Sequence, residues 1–343
     1  MFEKSTVFLP SASTVAYATA AYLVWVRLAR YRHWYRLENK TDMPSDVESA
    51  YGIYRQFMGG EYPFLVKKAL EFGLFKTYGI PSISQLLAKT KELTNNVSRR
   101  YDDTDLLVRE FTERPPNSIR SDLAIKRLNY LHGLYPSISN EDYLYVLAVF
   151  IVEPIRWVAL YGYRPAHEKE KVSSFLVWRN IGIKMGIKSI PNNFEEMAAY
   201  LDNYEAAYMR YHATNVVLAD ASRQLFLSVV PSVFHPIGKR LIESLCSKRL
   251  RKSLGYPEPH AVYKHISYLS LQAMAIFNRC LMLPRSSLLL RTPDHPVSAS
   301  LDNLPKLCPV FDVFDTNYPD GYRIDELGPE RFVKNRSLCP LAH

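Results

Sequence analysis

Residues 99–136 read RRYDDTDLLVREFTERPPNSIRSDLAIKRLNYLHGLYP, and this stretch decides the fold. Pro115-Pro116 ends one helix, because proline blocks helix continuation, and Ser121 or Asp122 can cap the next. Four side chains of the second helix recur at i, i+3, i+7 and i+10 and share one face: Ile125, Leu128, His132 and Tyr135. The pattern predicts two helices joined by a turn.

His132 is then a single imidazole on an otherwise buried face, where a neutral ring needs a partner. It is either a core histidine that bonds a neighbour or a ligand to a metal or haem iron, with His212 as the second candidate for such a ligand. Upstream, Arg100 and Thr104 stand at i and i+4, so both can point at one ligand. Arg99 and Arg100, followed by Asp102 and Asp103, can equally form an exposed, salt-bridged helix turn, and Thr104 can equally bond back to a carbonyl one turn earlier.

A family resemblance rests on these residues. Arg100-x-x-x-Thr104 followed by Leu131-His132-Gly133 resembles the family of the bacterial rubber oxygenases (latex clearing proteins) and the fungal endoplasmic-reticulum oxygenase mpaB. The phrases at residues 75–81 and 185–191 are also similar to that family, and the resemblance extends to about Pro259. It implies an all-α fold, haem b whose iron is held by His132, and Arg100 and Thr104 as catalytic residues near the iron.

The resemblance also implies a reaction, the oxidative cleavage of a carbon–carbon double bond in an isoprenoid chain by molecular oxygen. We therefore expect a membrane-anchored, haem-dependent oxygenase with a lipophilic, prenyl-type substrate. Three alternatives remain: a haem- or lipid-binding protein without oxygen chemistry, a helical scaffold in which His132 is a core residue, and an oxidoreductase with another metal. Where rubber-cleaving members have arginines near the ligand, this chain has Asn129 and Pro136.

Two glutamates are candidates for a catalytic acid or base. Rubber oxygenases use a glutamate near the iron, and Glu71 lies in the corresponding upstream helix, although it can equally pair with Lys67 or Lys68 on the surface. Glu153 lies among apolar residues, where an unpaired carboxyl has a raised pKa, but it can also pair with Arg156 three residues later. Neither assignment follows from the sequence alone.

Composition predicts one large helical domain over residues 38–285, followed by a Pro-rich tail over residues 286–343. No Gly- or Ser-rich linker divides the 343 residues, and 48% hydrophobic residues supply a sizeable core. The net charge of +9 is spread along the chain without a nucleic-acid-binding motif, so we expect no nucleic acid partner and favour anionic lipids. No phosphate loop, G-x-S-x-G or H-E-x-x-H motif occurs, which removes common nucleotide-dependent and hydrolytic enzymes.

Residues 1–37 predict a membrane anchor with a basic flank. The run from Ser5 to Val26 carries no charge and is long enough to cross a bilayer core of about 30 Å. Basic residues follow the run, beginning at Arg27, whereas a signal peptide has them in front. We expect a single-pass protein of the endoplasmic reticulum membrane whose catalytic domain faces the cytosol. A helix packed on the domain is the alternative.

Three further helices are predicted from apolar patterns. Residues 141–161 are apolar on nearly all faces, and their charged residues favour a central helix kinked at Pro154 over a second membrane span. Residues 239–252 are basic and amphipathic, which fits either a membrane surface or an ordinary surface helix. Residues 263–282 indicate another buried helix.

Overall fold

The computed structural model describes residues 11–292, 298–299, 305–308, 317–318 and 321–333. This part of the chain is all-helical apart from a short antiparallel pairing of Ser298–Ala299 (β1) with Pro305–Lys306 (β2). The α-helices are α1 Ala12–Glu38, α2 Val47–Arg55, α3 Pro63–Thr77, α4 Pro81–Thr90, α5 Glu92–Asn95, α6 Val97–Thr112, α7 Ile119–Gly133, α8 Asn140–Tyr161, α9 Glu168–Lys184, α10 Phe194–Tyr208, α11 Ala213–Leu227, α12 His235–Leu245, α13 Lys248–Ser253, α14 Ala261–Cys280 and α15 Glu330–Val333. Residues Gln56–Glu61 form a π-helical turn, and Ser232–Phe234 and Ile324–Glu326 form 3-10 turns.

Side-chain caps fix where the central helices begin. The Ser139 hydroxyl accepts a hydrogen bond from the backbone N–H of Asp142 at 3.0 Å, so α8 begins where the sequence predicts. α7 begins earlier than the sequence predicts, because its cap is Ser118, which accepts from the N–H of Ser121 at 3.3 Å. The prediction that Ser121 or Asp122 caps this helix is wrong.

α8 is the central helix of the domain. It packs against α3, α9 and α10, and Tyr145 and Ile151 at its middle are fully buried. Gly73 lets α3 approach closely, since a Cβ there would stand 2.7 Å from a methyl group of Val149. Among the described residues, only α8 is long and apolar enough to cross a bilayer, yet 72% of its apolar window lies inside the fold. α8 is therefore a core helix that contains Pro154, as predicted.

The described residues of the segment 286–343 pack on α6 and α7. Arg127 of α7 donates from Nε to the carbonyl of Leu327 at 2.8 Å. The hydroxyl of Tyr322, which is buried, donates to Glu110 of α6 at 2.6 Å. This part of the chain thus packs on the two helices that carry Arg100, Thr104 and His132.

α1 is one continuous helix through the apolar run and its basic flank. Only Val26, Arg30 and Leu37 are buried along it, and residues 12–25 are exposed on all sides. Arg30 donates to the carbonyls of Met282 and Leu283 at 2.6 and 3.0 Å, which ties α1 to the end of α14. α1 therefore docks mainly through its second half, whereas its uncharged first half is exposed and contacts the body through the Tyr22 hydroxyl, which donates to the Leu281 carbonyl.

Two predictions for the C-terminal helices are wrong. Residues 239–252 form parts of two helices, because the chain leaves α12 at Cys246 and Ser247 caps α13 by accepting from Leu250 N–H at 3.2 Å. α14 has the predicted length, but it is not a buried helix, since Ala275 is its only buried residue. The periodicity identified a helix but not the side that faces the protein.

Candidate functional site

Arg100 and Thr104 lie side by side on α6. The Arg100 guanidinium donates to the Thr104 hydroxyl, and that hydroxyl donates to the Arg100 carbonyl at 2.9 Å. Both side chains are half-buried and line the same cavity. The i, i+4 spacing therefore brings a cation and a hydroxyl together at one internal surface.

This cavity has a volume of about 110 Å³ and is enclosed by α3, α4, α5, α6, α8 and α11. Most of its wall is apolar, formed by Leu70, Leu74, Phe75, Leu87, Leu93, Val97, Val108, Phe150, Leu225 and Phe226. Such a wall favours an apolar ligand, because little of its surface can replace the hydrogen bonds that a polar ligand makes with water.

One end of the cavity is polar. Glu71 accepts from the Tyr101 hydroxyl at 2.6 Å and from Lys68 at 2.7 Å, and Lys67 lies 3.7 Å from it. The pairing with both lysines occurs as expected, but Glu71 lies at the cavity wall rather than on an open surface, with 11% of its side chain exposed. Asp105 completes this end, 3.8 Å from Lys67. We call these five residues the polar end.

Charge compensation keeps the Asp105 carboxyl of the polar end ionised. Burial raises the pKa of the Asp105 carboxyl, but the charges of Arg109, Arg291 and Lys67 outweigh burial and hold that pKa at about 2. Burial also lowers the pKa of the Lys67 ammonium, and the nearby Asp105 and Glu71 oppose this effect. The cavity thus has fixed charges at the polar end, the Arg100–Thr104 pair, and a wall that is mostly apolar elsewhere.

His132 lies on α7, which packs against α6. Its ring lies against Tyr143 with the centroids 5.3 Å apart, and its Nδ1 is buried without a hydrogen-bond partner among the described residues. Burial and, to a smaller extent, the charge of Arg100 lower the pKa of the imidazole to about 4. The ring is therefore neutral at pH 7, with a lone pair available to a metal.

His132 and the cavity are neighbours but not one space, since His132 is not among the residues that line the cavity. Helix α8 contacts both regions, so the length of helix between the two contacts indicates how far apart they lie. Tyr143 of α8 contacts the imidazole, and Phe150, two turns further, lines the cavity. Two turns of helix span about 10 Å. Arg100 connects the two regions, because it lines the cavity and also acts on the His132 ring.

The other candidate residues have structural partners. The Glu153 carboxylate is buried and accepts from Lys76 at 2.7 Å, while the expected partner Arg156 is 3.8 Å away. His212 caps α11, its Nδ1 contacts the Thr214 hydroxyl at 2.7 Å, and its Nε2 contacts Gln85 at 3.0 Å. Neither side chain is free for the role that the sequence left open, which is a catalytic acid or base for Glu153 and an iron ligand for His212.

The donor set of the site fits haem iron on one criterion. A neutral imidazole is a common ligand of haem iron, and half-buried His132 supplies one whose Nδ1 is buried without a hydrogen-bond partner among the described residues. Among the described residues, no group of three or more His, Cys, Asp or Glu side chains is arranged to hold a metal ion. The cavity is too small for a macrocycle as it stands. Its volume of 110 Å³ is below the roughly 300 Å³ of the smallest ligand pockets, so side chains near Arg100 must move before a macrocycle can bind.

Sequence reasoning missed three polar residues that line the cavity. Tyr101, Asp105 and Arg291 line the cavity, and none was singled out as a site residue. Tyr101 and Asp105 stand at i and i+4 on α6, so their shared face was readable from the spacing. Arg291 reaches Asp105 at 3.2 Å across 186 residues of sequence, and no local pattern predicts such a contact.

The chain is similar in sequence to a known protein family and to individual members of it. Residues 130–275 match the family described as "ER-bound oxygenase mpaB/B'/Rubber oxygenase, catalytic domain". The chain is 33% identical to the ER-bound oxygenase mpaB of Penicillium roqueforti (strain FM164), over 69% of this chain and 88% of that relative. It is 28% identical to the ER-bound oxygenase mpaB' of Penicillium brevicompactum, over 91% of this chain and 86% of that relative. The chain therefore belongs to the family of the ER-bound oxygenases mpaB and the rubber oxygenases.

Proposed function

We propose that this member of an oxygenase family is a haem-dependent enzyme that oxidises a carbon–carbon double bond of a lipophilic, prenyl-type substrate with molecular oxygen. One observation carries the proposal: a half-buried, neutral imidazole, whose buried Nδ1 has no hydrogen-bond partner among the described residues, lies on the helix next to the Arg100–Thr104 pair. His132 would hold the iron of haem b from one side. Haem iron, when bound, supplies the activation of molecular oxygen.

The apolar wall supports a lipophilic substrate. Leu74, Phe75, Leu225 and Phe226 come from two helices and present only hydrocarbon to the cavity. A prenyl chain gains free energy by leaving water for such a wall, at about 25 cal/mol per Å² of buried apolar surface.

Arg100 and Thr104 would stabilise negative charge that develops on oxygen. Their side chains are already in contact, so the guanidinium is held in place before the reaction begins. Fixed donors of this kind act strongly in a site from which water is excluded. At the polar end, Glu71 would accept a proton, and its contact with Tyr101 holds the carboxylate in position.

The location proposed for the protein is the endoplasmic reticulum membrane. Relatives carry the description ER-bound in their names. The uncharged run from Ser5 to Val26 begins before the described residues, its part in the first half of α1 is exposed up to residue 25, and Arg27, Arg32 and Arg36 follow it. This order supports a single-pass anchor with the catalytic domain facing the cytosol and membrane lipids as partners.

An absorption spectrum tests the haem ligand. The full chain is purified in detergent and loaded with haem, and we expect a Soret band that His132→Ala abolishes while circular dichroism stays unchanged. His265→Ala is the matched control, because this histidine is exposed on α14. A folded wild-type chain without a band after loading would refute the haem proposal. Oxygen consumption with a prenylated phenol then separates an enzyme from a protein that only binds haem or lipid.

A further inference from the structure

α14 presents an apolar stripe to the outside of the protein. Of its 20 residues only Ala275 is buried, although more than half of them are apolar. Leu269 and Ile276 have 61% and 60% of their surfaces exposed. A soluble helix normally turns its apolar face to the core, so this orientation requires another explanation.

Helical geometry places seven of the exposed apolar residues of α14 in one line. They recur every three or four positions apart from the adjacent pair Ile276 and Phe277, and they are Val262, Ile266, Leu269, Ala273, Ile276, Phe277 and Cys280. At about 100° per residue they fall within a single sector of the helix. The opposite side packs on the protein, where Ser267 contacts Ser244 of α12 at 2.7 Å. We call this line of seven residues the α14 stripe.

The α14 stripe continues into α1. Leu281 and Met282, directly after α14, are also exposed. The Tyr22 hydroxyl of α1 donates to the Leu281 carbonyl at 2.8 Å, and Arg30 binds the carbonyl of Met282. The stripe therefore ends beside the point where the uncharged half of α1 leaves the body. Two exposed apolar surfaces that meet in this way form one larger surface.

All charged residues of α14, and all those of α1 as far as Leu37, are basic. Exposed Arg27, Arg32 and Arg36 follow the apolar half of α1, and Arg279 and Arg285 lie at the end of α14. Neither α14 nor residues 12–37 contain an aspartate or glutamate. Apolar side chains flanked by arginines match the acyl region and the anionic headgroups of a phospholipid leaflet.

We propose that α14 lies in the interface of a phospholipid bilayer as a second membrane contact beside α1. The helix lies along the leaflet with the α14 stripe in the acyl region, and it does not cross the membrane. The two contacts together fix the orientation of the domain, which a single flexible anchor does not. This inference does not depend on haem or on the oxidation, so either can fail without the other.

A fluorescent probe on Cys280 tests the proposal in the full chain. Cys280 lies on the α14 stripe and is exposed, and Cys246 is buried. Cys308→Ser and Cys339→Ser therefore leave Cys280 as the reactive thiol for an environment-sensitive nitrobenzoxadiazole label. The control carries the label on Ile183→Cys of α9, in a background with Cys280→Ser, because Ile183 is likewise exposed. Vesicles contain phosphatidylcholine and phosphatidylserine, with and without a lipid-borne quencher.

We expect the label on Cys280 to brighten several-fold with vesicles and to be quenched by the lipid-borne quencher, while the label on residue 183 stays unchanged. Leu269→Glu with Ile276→Glu should abolish the brightening without loss of helical content, since both positions are exposed. An aqueous signal from Cys280 on chains that float with vesicles, or a failure of the chain to float, would overturn the proposal. So would brightening without vesicles that depends on protein concentration, because a second copy would then cover the stripe.

Discussion

The Arg100 guanidinium on α6 acts on the His132 imidazole on α7. Burial is the larger cause of the low pKa of that ring, and the Arg100 charge adds to it, so the pKa is about 4. The same guanidinium contacts Thr104 and lines the apolar cavity. One cation thus favours the neutral ring that a metal requires and supplies a donor to the neighbouring cavity.

Removing this cation should raise the pKa of His132. Arg100→Gln removes the smaller of the two causes, so the pKa should rise above 4 but stay below 6.5, because burial remains. An NMR titration of the His132 ring in the haem-free chain measures it. Arg99→Gln is the matched control, since that side chain bonds Glu330 instead. An unchanged pKa in Arg100→Gln would show that burial alone sets it.

His132 should also make the protein sensitive to acid. The unfolded chain binds a proton on this ring below pH 6.5, and the folded chain does so only near pH 4, so unfolding takes up a proton in between. This contribution is fully present above pH 6.5 and is lost as the pH falls, by about 3 kcal/mol at most. Denaturant unfolding of haem-free protein at pH 7 and pH 5 should show a smaller loss in His132→Gln than in the wild type. Equal losses in both proteins would contradict the expectation.

Thr104 should act through its hydroxyl. Thr104→Val keeps the shape of the side chain but removes the contact that holds the Arg100 guanidinium, so oxygen consumption should fall about tenfold or more. Thr104→Ser keeps the hydroxyl and should stay within about threefold of the wild type. The Soret band should persist in both variants. Equal rates for the valine and serine variants would remove Thr104 from the catalytic proposal.

The helical framework was largely predictable from local signals. Ser139 before an apolar run predicts the start of α8, and the cap is observed there. Asn193 likewise begins α10 by accepting from Glu196 N–H at 2.8 Å. Caps and periodicity act within a few residues, so they can be read from the sequence.

The orientation of α14 was not predictable in the same way. Its pattern shows that one face is apolar, but protein and lipid both accept such a face. The candidate site shows the same limit: Arg100, Thr104 and His132 lie on adjacent helices and their motif is readable from the sequence, whereas Arg291 reaches the cavity through tertiary packing. Local patterns show which face of a helix is apolar, and only the packed structure shows what that face contacts.

The last test asks whether Glu153 has a structural or a catalytic role. Lys76 is buried between Glu153 and Glu205, at 2.7 Å from each carboxylate. Lys76→Met leaves two buried carboxylates that share this site without their cation, so the free energy of unfolding should fall by about 3–5 kcal/mol. Denaturant unfolding at pH 7 measures this loss.

Glu153→Gln separates the two interpretations of that carboxylate. Lys76 keeps its pair with Glu205, so the loss of stability should be only about 1–2 kcal/mol. Glu153 does not line the cavity, and therefore the rate of oxygen consumption per folded molecule should stay at the wild-type value. A large fall in this rate, with folding and the Soret band intact, would instead make Glu153 part of the reaction. Its ion pair with Lys76 would then position a catalytic carboxylate rather than only stabilise the fold.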